Sequence, residues 1–231
     1  MKNFSIHNLL AAVAALSISL SLGNVDASEK VETFLINKKE FQFALPSGYC
    51  KLGTSARERA FEDNINKYTN GVGTTLFLAA DCEDMLSFLR AEKENLSGFF
   101  TIQTVQQNGK PVTVKESRKE FIKVNVDYLR KEGLGELASD LNELSTQDGL
   151  KLKEAETRLI GEDSSAFYLM ARFDVSGPSK ELETIVVQGS TLVKSHVLSV
   201  NVYSLANSNS PKKRMLDTSK QVVNSLIEQS K

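Results

Sequence analysis

The sequence predicts an α+β domain: a mainly antiparallel sheet with a C-terminal β-meander, helices packed on the sheet, and a closing C-terminal helix. Three observations carry that expectation. Near the start, ETFLINKKEFQFAL alternates apolar and polar residues on either side of Asn37–Lys39, which is the pattern of a β-hairpin. From Leu150 to Leu205 the chain is a succession of β-rich runs broken by turn residues. Helical periodicity occupies the middle and the last twenty residues or so, an order that puts helices on the faces of an antiparallel sheet.

The elements follow in order from the N-terminus. MKNFSIHN carries Lys2 and the free amino group, an uninterrupted apolar run extends from Leu9 to Leu22, and GNVDA then offers small residues at Val25 and Ala27. A basic start, an apolar run of this length and an A-x-A-like site make a secretory signal, with cleavage expected after Ala27. A membrane span needs about 20 apolar residues, and this run stops short of that. No cysteine at its end indicates lipid attachment, so no stable membrane anchor is expected after cleavage, and the product is expected to be periplasmic or secreted. Of 231 residues, the 27 of the signal leave 204, read as a single domain over 28–231. A hydrophobic fraction of 41% supports a core, and 28 basic against 29 acidic residues give no electrostatic reason to bind nucleic acid. The absence of Trp argues against a surface dedicated to stacking on carbohydrate.

After the hairpin, LPSGY supplies turn residues, and Ser55 with Glu58 forms a capping box for a helix to about Tyr68. Ala60, Phe61, Ile65 and Tyr68 share one face of it. NGVG (Asn70 to Gly73) stops that helix; it lacks the lysine and preceding strand of a phosphate-binding loop. Thr74 to Ala80 is nearly continuously apolar and reads as a central strand covered on both faces. A short helix over Asp84 to Glu92 and a strand over Gly98 to Val105 follow. Thr113 and Glu116 form a second capping-box pattern, ahead of Phe121, Ile122, Val124, Tyr128 and Leu129 at helical spacing, with Gly133 as the stop and a shorter helix over Glu136 to Leu144. In the second half, LKLKEAETRLI leads to SAFYLMARFDV, a turn at SGPS, ELETIVVQ, a tight Gly189–Ser190 turn, and TLVKSHVLSVNVYSL as the last strand. Ser210 as N-cap and Pro211 at the first helical position open the final helix, with Met215, Ser219, Val222 and Leu226 on its inner face.

FQFALPSGY near the start, a meander ending in LSVNVYS and a closing helix with VVNSLIEQS together resemble the PsbP-like group of exported α+β domains. They also resemble small exported bacterial proteins with a Leu-Pro-x-Gly-Tyr-Cys stretch and a later Asp-Cys. The resemblance spans most of the chain after the signal, and it implies an accessory or assembly role.

The candidate chemistry is narrow. Cys50 and Cys82 are the two cysteines, each at the exit of a strand, and an exported chain meets an oxidising compartment. A structural disulfide is expected, with two buried free thiols as the alternative. Cysteine catalysis needs a base nearby. Only His7 and His196 exist, and His7 leaves with the signal. His196 is in phase with Leu198, Val200 and Val202, which reads as a core-edge residue. One remaining histidine and paired cysteines leave no His/Cys zinc site, and no cofactor is expected. No G-x-S-x-G elbow or G-x-G-x-x-G pattern occurs. Asp81, Glu83 and Asp84 flank Cys82 and raise acid–base or calcium chemistry. Their spacing matches no calcium loop, and Asp84 as an N-cap with Asp81 and Glu83 at the positive helix end explains them better.

The stretch KPVTVKESRKEFIKVNVDYLRK places Lys115, Arg118, Lys119, Lys123, Arg130 and Lys131 on one amphipathic segment, interrupted by Glu116, Glu120 and Asp127. It is either a solvated face or a surface for an acidic partner or membrane headgroups. Lys115, Arg118, Lys119 and Lys123 are the candidate partner surface, and the partner expected is a protein. Two functions follow: an exported, non-enzymatic binding or assembly protein, or a hydrolase working through carboxylates or a non-standard serine site.

Overall fold

A computed structural model describes residues 30–69, 73–132, 151–176, 181–205 and 212–231. The first hairpin joins β1 (Val31–Ile36) to β2 (Lys39–Ala44). Asn37 and Lys38 both adopt left-handed backbone (φ 50° and 67°), the geometry that lets a two-residue turn follow the twist of its strands. Alternation then decides burial: Phe34, Ile36, Phe41 and Phe43 point inward, and Val31 and Leu35 outward.

The main sheet is assembled from β3 (Tyr49–Lys51), β4 (Gly73–Asp81), β5 (Gly98–Gln107), β7 (Lys151–Glu162), β8 (Phe167–Ser176), β9 (Glu181–Val193) and β10 (His196–Leu205). Its order is β3-β4-β5-β10-β9-β8-β7, with every neighbouring pair antiparallel. A short β6 (Lys110–Pro111) folds back on β5 through Asn108–Gly109, an Asn-Gly turn that the sequence displays plainly in QQNGKP. Four helices are described: α1 (Ala56–Thr69), α2 (Cys82–Leu89), α3 (Arg118–Glu132) and α4 (Lys212–Gln229). The domain is therefore α+β, with the meander β7 to β10 in chain order and a helix at the end. The expected helix over 136–144, the SGPS turn and the Ser210–Pro211 helix start lie outside the described residues.

Both sheet faces are covered. On one, the hairpin and α4 enclose the main core, in which Phe43 meets Phe77 edge-on at 4.8 Å and Phe77 stacks toward Phe100 at 5.9 Å. Met215, Ser219, Val222 and Leu226 all turn inward from α4, as their spacing requires. On the other face, α1 and α2 cover one end around Leu78, Ala80, Met85 and Phe88, and α3 sets Ile122 and Val126 against Phe167 and Leu169 at the other. Phe61 and Ile65 anchor α1, while Ala60 is exposed.

Three local expectations are corrected. The apolar run of β4 is indeed covered on both faces, since Phe77 and Ala79 join one core and Leu78 and Ala80 the other. It is not central, however: only the three-residue β3 lies outside it, and the middle of the sheet is β10. Continuous apolarity reports two covered faces, not a place in the strand order.

Gly189–Ser190 is not a turn. β9 runs through both residues to Val193, Gly189 pairs with Val200 and Tyr168, and the chain reverses instead at Lys194–Ser195 (φ 48° and 67°). The glycine serves close approach: a Cβ there would lie 2.6 Å from Ser219 Oγ and 3.0 Å from the Tyr168 ring, where α4 presses on the strand.

The third correction concerns Thr113 and Glu116. Thr113 bridges to His196, Val114 N–H donates to Ser195 O (2.8 Å) and Val197 N–H donates to Val112 O (3.3 Å), so this segment is held extended against β10. The box closes four residues later. Ser117 N–H donates to Glu120 Oε2 (2.9 Å), and Glu120 N–H donates back to Ser117 Oγ (3.3 Å).

Gly189→Ala should lower stability by about 1–3 kcal/mol through overpacking, read as a lower urea midpoint with an unchanged slope. Adding Ser219→Ala should restore part of that loss. An unchanged midpoint in the single variant would show that α4 does not sit this close.

Candidate functional site

The disulfide end of the sheet is built by β3 and α2. Cys50 lies in β3 and Cys82 opens α2, and they are bonded (S–S 2.04 Å, Cα–Cα 5.0 Å) across a separation of 32 residues. A loop of that length contributes about 3–4 kcal/mol in the chain-entropy account.

Asp81, not Asp84, caps α2. Its Oδ1 accepts from Glu83 N–H (3.1 Å) and Asp84 N–H (3.3 Å), because the helix begins at Cys82 and the cap must be the residue before it. Asp84, three positions past the cap, turns into the protein. There it accepts from the Lys93 ammonium, from Ser97 Oγ–H (2.8 Å) and N–H, and from Gly98 N–H (3.3 Å). Burial pushes the Asp84 carboxyl up, but these donors outweigh it and hold it below its ordinary value. Glu58 is similar: burial raises it, and bonds from Ser55 and Gly53 bring it below the usual range. Among the described residues no group of three or more His, Cys, Asp or Glu side chains is placed to hold a metal ion.

His196 sits on the same face of β10 as Leu198, Val200 and Val202, 1% exposed and edge-on to Phe41 (5.6 Å). Its Nδ1 lies 2.9 Å from Lys194 O and so carries the proton in that contact, while Nε2 has no hydrogen-bond partner. It packs as a core residue.

The basic segment is divided by the fold. Lys115, Lys119 and Lys123 are exposed. Arg118 instead turns to the sheet, where its Nε–H donates to Leu192 O (2.9 Å) and burial lowers its guanidinium from the usual value. Arg130 pairs with Glu162 (3.2 Å). On the outer face of α3, Val124 (64% exposed) and Tyr128 (53%) form an apolar pair one turn apart, flanked at helical spacing by Glu120 and Asp127.

Sequence reasoning missed a polar floor on the sheet face between α1–α2 and α3. Pairing aligns Thr75, Gln103, Ser199 and Ser190 in one row, and Thr101, Asn201 and Gln188 in the next. Asn201 Nδ2–H reaches Thr101 Oγ1 and Ser199 Oγ, both at 3.4 Å, and Tyr203 stacks on Phe99 (4.5 Å). Burial pushes the Tyr203 phenol up to about 12, against bonds with Thr101 and Gln103. Thr75 Oγ1 is buried without a partner. Thr101, Ser190, Ser199 and Asn201 of this floor are buried, and none of the aligned side chains carries a charge. The alternation S-V-N-V-Y at 199–203 is the signal that could have revealed it.

A cleft of about 510 Å³ lies between Pro46–Tyr49 and the first turns of α4, lined also by Lys213, Arg214, Asp217, Thr218 and Gln221. Arg214 is held by Asp81 (3.3 Å). Burial pushes the Tyr49 phenol up, against a bond with Thr218 and the charge of Arg214.

Compared with the models of known protein families and with curated protein sequences, the chain matches none.

The Asp84 carboxyl makes stability depend on acid. Its native value is below its unfolded value, so its contribution is complete above the unfolded value and is lost as pH falls through the native one. Asp84→Asn should cost about 1.5–3 kcal/mol at neutral pH and flatten the stability curve over the carboxylate range. Chemical denaturation from pH 7 down to pH 3 checks both; a parallel curve would show that Asp84 does not carry this dependence.

Proposed function

We propose that the protein is a non-enzymatic binding or accessory protein of an oxidising, extracytoplasmic compartment, and that the outer face of α3 is its contact surface. One observation carries the reading: α3 exposes Val124 and Tyr128 one turn apart, with Glu120 and Asp127 beside Val124 and Lys119 and Lys123 further round the helix, while the ionisable groups with candidate chemistry are bonded into the fold. Asp81 caps a helix, Asp84 and Glu58 are closed by donors, and His196 packs on Phe41. An apolar pair with exposed lysines on the adjoining side of the same helix suits an acidic protein surface, because the anchor supplies affinity and the lysines supply orientation and rate.

The signal pattern at the N-terminus and the bonded cysteines support the compartment, and no helix among the described residues is long and apolar enough to cross a membrane. The resemblance to PsbP-like domains points to the same accessory role. A hydrolase would need a carboxylate free to move a proton, and Asp81 and Asp84 are both committed to structural bonds.

Arg118 does not belong to the contact surface, since it is spent on Leu192 O. Lys119→Glu with Lys123→Glu should leave the urea midpoint within about 0.5 kcal/mol of the parent, as exposed charges contribute little. The same variant, and Tyr128→Ala separately, should lose the acidic partner recovered by pulldown from the protein's own extracytoplasmic fraction. Association should also slow with added salt. Retained binding by both stable variants would remove α3 as the contact face.

A further inference from the structure

A sheet edge with free N–H and C=O groups is a template for another strand, and folds usually blunt their edges. This one blunts most of them. β3 is three residues long, and β6 is two and contains Pro111. β7 is interrupted by register shifts between Lys153 and Glu156 and between Leu159 and Gly161, and its sequence KLKEAETRLIGE is densely charged.

The outer edge of β2 is closed by side chains. Ala44 N–H donates to Ser225 Oγ (2.6 Å), Gln42 N–H donates to Ser230 Oγ (2.9 Å), Ser230 Oγ–H donates to Gln42 O (3.1 Å), and Lys194 Nζ donates to Glu40 O (3.0 Å). These bonds also fix the phase of the hairpin. Residues 40, 42 and 44 direct their backbone groups away from β1, so their opposite numbers Leu35, Thr33 and Val31 direct theirs away from β2.

Among the described residues no such closure exists on β1. It is six residues long, regular in register and without proline. No described residue hydrogen-bonds the outward backbone groups of Thr33 and Leu35. The side chains beside those groups are uncharged, and Val31 is 49% and Leu35 64% exposed.

We propose that β1 pairs antiparallel with β1 of a second copy of this chain, about a two-fold axis at Thr33. That register is the one that uses all three outward residues: Val31 faces Leu35 of the second copy, Thr33 faces Thr33, and Leu35 faces Val31. Each pair exchanges two backbone hydrogen bonds. The pairs on the exposed side are apolar with apolar and Thr with Thr, with no like charges opposed, which is the condition for favourable cross-strand contacts. A slip by one residue would set outward groups against inward ones. The product is a four-stranded ribbon in the order β2-β1-β1-β2, closed at both ends by the serines of α4, so the pairing stops at two copies. A second copy is favoured over a foreign strand because the neutral, two-fold-symmetric row is complementary to itself.

Sedimentation equilibrium of the protein produced from the full sequence tests this. The mass should approach twice that of one chain and fall toward one chain on dilution. Leu35→Lys, at an exposed position, should halve the mass without changing the far-UV spectrum or the melting temperature. Thr33→Pro removes one outward N–H and no bond of the β1–β2 ladder, and should do the same. Amides of Thr33 and Leu35 should exchange slowly in the parent and rapidly in Leu35→Lys. A parent that is monomeric at every concentration overturns the proposal. So does a dimer that survives Leu35→Lys, or a monomer whose β1 amides become protected only on adding another protein.

Discussion

The structure depends on how the C-terminal helix is seated. α4 lies beside the hairpin on one face of the sheet and bonds to both: Ser219 Oγ–H donates to Val200 O (3.4 Å), while Ser225 and Ser230 satisfy the outer edge of β2. The helix thus does for β2, with hydroxyls, what a third strand would do with backbone. Magnitudes separate its two roles. Burying Met215, Val222, Val223 and Leu226 contributes about 1.5–3 kcal/mol each as an upper bound. Each hydroxyl bond contributes only about 0.5–1.5 kcal/mol net. Apolar burial therefore holds α4 down, and the serines decide where along the hairpin it comes to rest.

Other features follow from that seat. Gly189 must be glycine because the helix comes within a Cβ of β9. β9 must then pass straight through it, which moves the reversal to Lys194–Ser195 and delivers Lys194 to both Glu40 O and the Phe41 ring. His196, the next residue after that turn, is carried under Phe41. At the far side of the hairpin, Glu32 reaches Lys51 (3.3 Å) in the short strand that the disulfide ties to α2. His196 is thereby taken up in packing, while Val124 and Tyr128 on α3 and Leu35 on β1 are exposed.

Local signals were legible in the sequence. The hairpin, the Ser55–Glu58 box, the inner face of α4 and the Cys50–Cys82 pairing each rest on spacing within a few residues or on compartment chemistry, and each is present. What failed needed contacts distant in sequence. Two consecutive boxes, Thr113–Glu116 and Ser117–Glu120, are equivalent on paper; only the bridge to His196 rejects the first. Asp81 and Asp84 differ as caps by where β4 ends, which its partners β3 and β5 decide. Gly189 reads as a turn until the helix that arrives thirty residues later is in place. The inward turn of Arg118 was equally invisible, since its acceptor is a carbonyl at the end of β9.

If the α4 seat governs the fold, β2, α4 and β10 open as one unit. Native-state hydrogen exchange across sub-denaturing urea measures this directly. The amides of Gln42 and Ala44, those in the middle of α4, and those of β10 should converge on one opening free energy with the urea dependence of global unfolding. Release of Gln42 and Ala44 at low free energy, with β10 still protected, would contradict the account by showing that the hairpin detaches from the helix independently.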